Sequence, residues 1–220
     1  EVASTLDIKS AYDLYSKMAI NLKECGINLN FAPVVDLHDE NSPIIAAKQR
    51  AFSEYASKVV IYADAFMDAF KEQGILTTLK HFPGHGDTAV DSHTGLPLVD
   101  KSLEELEKLE LYPFKKAMES GVDLLMTAHI QYPQVEKDQV VSKKTGEKIY
   151  VPATLSDDIL TGLVRKKYGY KGVVVSDAMG MDAIAKNFGE VEAVKMAIKA
   201  GVDLVLMPTT LRSKTDLTKI

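Results

Sequence analysis

The chain has 220 residues, 46% of them hydrophobic and 26% charged, enough apolar matter for a packed core and not the composition of a disordered segment. Its net charge of −5 and the lack of a basic run interleaved with aromatics exclude a general binder of nucleic-acid backbones, and no apolar run reaches membrane-spanning length. The single cysteine, Cys25, excludes an internal disulfide; set among apolar helical residues, it is expected as a core thiol and not as a nucleophile.

The chain opens at Glu1 without a methionine and inside a helical pattern, so an export signal upstream is left open. From there a helical pattern repeatedly runs into a glycine and then into a short apolar run, at Gly26-Ile27, Gly74-Ile75, Gly121-Val122, Gly172-Val173 and Gly201-Val202. Glycine past the last helical turn is the usual left-handed stop, and short apolar runs are what strands buried on both faces look like. Helices are predicted at 9–25, 54–73, 102–119, 156–168 and 190–200, with Leu103, Leu106, Leu109 and Leu111 as an amphipathic face. Ser102, followed by Glu105, and Ser156 are candidate N-caps. Two units are nearly the same words, SGVDLLM at 120–126 and AGVDLVLM at 200–207.

Helix and strand alternating in this way leave an open doubly wound sheet or a closed (β/α)₈ barrel. Asp36, the Lys80-His81 pair, His129 and Asp177 all stand at the carboxyl ends of predicted strands, where both architectures place ligands. One reactive residue from each of several strands suits a barrel mouth better than a single crevice. The expected fold class is therefore α/β, a TIM-type barrel. It is read as an incomplete barrel, lacking the first strands and one at the end, and as a single domain over 1–220. The polar stretch 133–151 is an excursion from the barrel and not a linker.

Between the second strand and the third helix lies Lys80–Asp100, KHFPGHGDTAVDSHTGLPLVD, which holds three of the five histidines beside three aspartates. Pro83, Gly84 and Gly86 break any helix, so the segment is predicted as a loop, without the regular spacing that would align His81 and His85 as metal ligands. Its glycines match neither a Walker nor a dinucleotide fingerprint. A carboxylate at the strand end, Asp177, and a loop histidine, His93, can form a nucleophile and acid/base pair, with Asp91 orienting the imidazole. Asp177 equally suits a helix cap.

KHFPGHGDTAVDSH, with FAPVVD before it and TAH, PATLS and VVVSDAMGMDAI after it, resembles the β-N-acetylglucosaminidases of glycoside hydrolase family 3, nearly from end to end. The resemblance implies a retaining hydrolase that releases terminal non-reducing N-acetylglucosamine from peptidoglycan-derived fragments or chitooligosaccharides, with no metal or organic cofactor. Residue by residue, it implies Asp177 as nucleophile, His93 as acid/base and Asp91 as its dyad partner. Arg50, Lys80 and His81 are implied to hold sugar hydroxyls, and His129 is carried as a further candidate for substrate binding. Where the family has a glycine before that arginine, this chain reads PIIAAKQRAFS. An acidic sugar-binding segment of the family is expected before Glu1. SKKTGEKIYVPATLS resembles members from Gram-positive bacteria that carry a second domain, which points to an extracellular or cell-envelope protein; the alternative is cytoplasmic. Two other readings stand beside this one. A metal-dependent barrel hydrolase would use His81, His85, Asp91 and His93, and a non-catalytic module would bind N-acetylglucosamine and release none.

Overall fold

The computed structural model describes residues 5–88 and 95–208. Their contacts form two compact units, 1–87 with 104–126 and 88–103 with 127–220. Among the described residues no helix is long and apolar enough to cross a membrane.

In the first unit, α1 (Ile8–Glu24) begins where the Asp7 carboxylate accepts the Ser10 N–H at 2.8 Å, satisfying one of the helix's orphan donors. Ala11, Tyr15 and Ala19 recur every four residues and so share one face. That face packs on Tyr62, Phe66, Ala69 and Phe70 of α2 (Ala56–Glu72), small residues letting the helices close on the aromatics. Tyr15 meets Phe66 edge-on at 5.1 Å between centroids, and burial, with Tyr62 nearby, pushes the Tyr15 hydroxyl up to about 12. Cys25, expected in this core, caps α1 and is exposed, because it falls outside the 11–15–19 stripe.

The strands of this unit run in the order β1 (Leu29–Asn30), β2 (Leu76–Phe82) and β3 (Leu124–Thr127). β1 pairs parallel with β2, Leu29 opposite Leu76, and pairing resumes where Val34 lies beside Lys80. β2 runs through Lys80 and His81 to Phe82, so the segment read as a loop begins only at Pro83. The helix predicted at 102–119 is two, α3 (Leu103–Lys108) and α4 (Leu111–Glu119). Pro113 is the cause. Inside one long helix its ring would strike the Leu109 carbonyl, whereas a restart at Leu111 puts it in a first turn, where no donor is missed.

In the second unit the 133–151 excursion folds as an antiparallel hairpin, β4 (Gln139–Val141) and β5 (Lys148–Tyr150), with Gln139 opposite Tyr150. The next helix, Asp158–Lys167, starts as expected at Ser156, whose hydroxyl accepts the Ile159 N–H at 3.1 Å, but it is wound as a π-helix. β6 (Val173–Val175) is followed by α5 (Asp182–Phe188), which the sequence reading missed, and by α6 (Glu190–Ala200), which it contained. The last predicted strand is reduced to a parallel bridge between Leu204 and Val175. Gly26, Gly74, Gly121 and Gly201 have positive φ as predicted; at the fourth junction it is Gly169, at φ 66, and not Gly172, that turns left-handed.

Candidate active site

In the first unit the site is built around a buried carboxylate. Pairing of Val34 with Lys80 carries the chain to Asp36, beside the end of β2, where its side chain is fully buried. Asp36 Oδ1 and Oδ2 accept the His81 backbone N–H at 3.1 and 3.2 Å, Oδ2 lies 2.7 Å from His81 Nδ1, and Oδ1 accepts the His85 N–H at 2.7 Å. One carboxylate thus binds the last turn of a strand to the first turn of the loop after it. Burial alone would push the Asp36 carboxyl up; hydrogen bonds from His81 and His85, with the charge their rings carry when protonated at acidic pH, outweigh it, and the group lies below the ordinary carboxylate value.

The same contacts fix the His81 ring. A carboxylate only accepts, so Nδ1 carries the proton, and Nε2 turns its lone pair to Arg50, whose Nη2 is 3.4 Å away. Arg50 leaves a turn of defined geometry. The Arg50 N–H reaches the Ile45 carbonyl and the Gln49 N–H the Ala46 carbonyl, both at 2.9 Å, with Gln49 left-handed at φ 52. This is the Schellman arrangement, with Gln49 in the position glycine usually takes. Lys80, on β2, and Arg50 are both half-buried.

In the second unit Asp177 follows β6 by two residues and is half-buried, its Oδ1 accepting the N–H of Ala178 at 2.7 Å. The turn after it is tied down: the Met181 N–H reaches the Ala178 carbonyl at 3.1 Å and the Met179 N–H the Leu206 carbonyl at 3.0 Å. Asp177 caps no helix here, since α5 starts five residues later at Asp182. His129, two residues past β3, is buried, with Nδ1 2.9 Å from Thr154 Oγ1 and Nε2 3.0 Å from the Ala178 carbonyl oxygen. Met179 and Met181 are buried packing residues.

Of the predicted site residues, the structure brings Arg50 and His81 into contact in the first unit, and His129 and the segment after Asp177 in the second. Asp91 and His93 lie outside the described residues. Among the described residues no group of three or more His, Cys, Asp or Glu side chains is arranged to hold a metal ion. Two participants were not singled out as site residues from sequence: Asp36, visible only as a polar residue at a strand end, and Thr154, inside a stretch noted only for its resemblance.

Comparison with known proteins bears on family and fold. Residues 1–219 match the family model described as glycosyl hydrolase family 3 N terminal domain. The chain is 44% identical over 204 residues to a β-hexosaminidase A of Pseudoalteromonas piscicida, covering 92% of this chain and 34% of that protein. It is 36% identical over 190 residues to a β-hexosaminidase of Xylella fastidiosa strain M23, covering 86% of this chain and 52% of that one. Among solved structures, a family 3 β-N-acetylglucosaminidase from Paenibacillus sp. str. FPU-7 superposes with a TM-score of 0.83 at 40% identity, over 91% of this chain and 36% of that one. The chain therefore spans between a third and about half of these relatives' lengths. Its fold is the TIM-barrel-like α/β fold of that domain. With a match running from residue 1 to 219, the chain belongs to the glycosyl hydrolase family 3 N-terminal domain family.

Proposed function

We propose that this chain is the catalytic portion of a retaining β-N-acetylglucosaminidase that removes terminal non-reducing N-acetylglucosamine from peptidoglycan-derived fragments. The observation that carries the reading is Asp177, a half-buried carboxylate at a strand end, with one oxygen held by the adjacent Ala178 N–H. The names of the relatives, β-hexosaminidase and β-N-acetylglucosaminidase, support the substrate class.

In the proposed reaction the other Asp177 oxygen attacks the anomeric carbon, while His93, oriented by Asp91, protonates the departing glycosidic oxygen. A glycosyl ester forms as the glycosidic bond breaks. His93 then takes a proton from water, which attacks the anomeric carbon and returns Asp177 as a carboxylate. Two inversions give retention. Arg50, Lys80 and His81 hold the sugar hydroxyls, and the Asp36 clamp sets the His81 ring so that Nε2 stays an acceptor. No metal or organic cofactor enters this scheme, and location in the envelope of a Gram-positive cell stands with it on the resemblance of the 142–156 stretch.

The test is proton NMR of the first N-acetylglucosamine released by the full-length protein from a β-linked substrate, after exhaustive chelation. Initial accumulation of the β-anomer is expected. An α-anomer appearing first would remove Asp177 as a nucleophile, and activity abolished by chelation and restored by metal would favour the metal-dependent alternative.

A further inference from the structure

We propose that His129 is a positioning residue for Asp177, acting through the backbone of Ala178 and not by touching sugar. The inference rests on Asp177 being the nucleophile, as proposed above. Ala178 is clamped at both ends: its N–H donates to Asp177 Oδ1 at 2.7 Å and its carbonyl oxygen lies 3.0 Å from His129 Nε2. A carbonyl only accepts, so Nε2 carries the ring proton and Nδ1 is an acceptor.

Nδ1 has a hydroxyl in reach. Thr154 Oγ1 lies 2.9 Å from it and donates at 2.9 Å to the Ala128 carbonyl, which also receives the Thr154 backbone N–H at 3.2 Å, so Nδ1 and that carbonyl compete for one hydroxyl proton, and the hydroxyl holds the ring in place between them. Thr127 Oγ1 in turn donates to Thr154 Oγ1 at 2.9 Å. A buried chain thus runs from Thr127 through Thr154 and His129 to Ala178, each bond polarising the next. Thr127, His129 and Thr154 are 1% exposed or less, so the ring has no surface to offer a hydroxyl of the substrate. What it can do is hold the Ala178 backbone, and with it the N–H that fixes the orientation of the Asp177 carboxylate. Orientation of this kind is worth much in rate, since a misplacement of about 1 Å can cost about 10²-fold.

The test uses the full-length protein and a 5-fluoro β-N-acetylglucosaminyl fluoride. The nucleophile's oxygen bonds to the anomeric carbon as the carbon–fluorine bond breaks and fluoride leaves, so no acid is needed and His93 drops out of the measurement. The first-order inactivation constant belongs to each folded molecule, and a misfolded fraction leaves it unmoved. His129→Met is expected to lower it roughly tenfold or more, with the half-saturating probe concentration unchanged. His129→Gln, which can put an amide N–H where Nε2–H stood, should restore it to within about threefold. A wild-type constant in His129→Met, or weaker probe binding as the sole change, overturns the proposal. Should His129→Met not fold, Thr154→Val, which removes the hydroxyl that orients the ring, is expected to lower the same constant, and an unchanged constant again overturns it. Mass spectrometry of the adduct separates the two levels. An adduct on Asp177 with unaltered rates defeats the positioning role alone, whereas an adduct on another residue defeats the nucleophile assignment and this proposal with it.

Discussion

At the scale of single residues, Asp36 shows how a buried charge can be held without an ion pair of the surface kind. Its two oxygens receive two backbone N–H groups and one imidazole N–H, enough donors to offset desolvation. Its pKa is lowered in the folded state, so its contribution to stability is fully present above the ordinary value of 3.8 and is lost as pH falls through the lower folded value. Asp36→Asn should therefore cost roughly 2–4 kcal/mol at neutral pH, and should remove part of the loss of stability on acidification below 3.8. Denaturant titrations of both proteins at a series of pH values check this; parallel curves would show that the carboxylate is not the titrating group. None of this was legible in the chain, because the partners of Asp36 stand 45 and 49 residues away and two are backbone groups with no residue signature. His129 was visible at its strand end, but its partners, 25 and 49 residues away, are a threonine hydroxyl and a carbonyl. Strand-end placement of Lys80, His81, His129 and Asp177 could be read, because it follows from periodicity alone.

At the scale of elements, the turn that carries Arg50 is the informative case. Gln49 is exposed and left-handed, at φ 52, a conformation that costs a residue with a Cβ about 1 kcal/mol and costs glycine almost nothing. Gln49→Gly should keep both turn hydrogen bonds, and hence the aim of Arg50, while changing stability by a small gain of up to about 0.5 kcal/mol, net of the greater freedom of glycine in the unfolded chain. Urea unfolding beside a KM measurement decides it: a gain in stability with KM unchanged is expected, and a loss would mean that the Gln49 side chain holds the turn by contacts of its own. The glycine stops after α1, α2, α4 and α6 were legible because left-handed termini leave a sequence mark. The break between α3 and α4 is marked too, by Pro113, beneath a leucine face that runs on unbroken across it. The π-winding of Asp158–Lys167 left no such mark.

At the scale of the whole molecule, the candidate residues divide between the two units, Arg50, Lys80 and His81 in the first and His129 and Asp177 in the second. The chain spans 34% of one relative and 52% of another, so the turnover proposed above is to be measured on the protein in full. The central claim is that Asp177 takes the sugar. Asp177→Gly in that protein, assayed with an activated aryl β-N-acetylglucosaminide, leaves room for a small anion beside the anomeric carbon. Turnover should be nearly absent without azide, restored with it, and should yield the α-glycosyl azide, since one displacement inverts the centre. Near-normal hydrolysis without azide, or a β-glycosyl azide as the rescued product, would contradict the account.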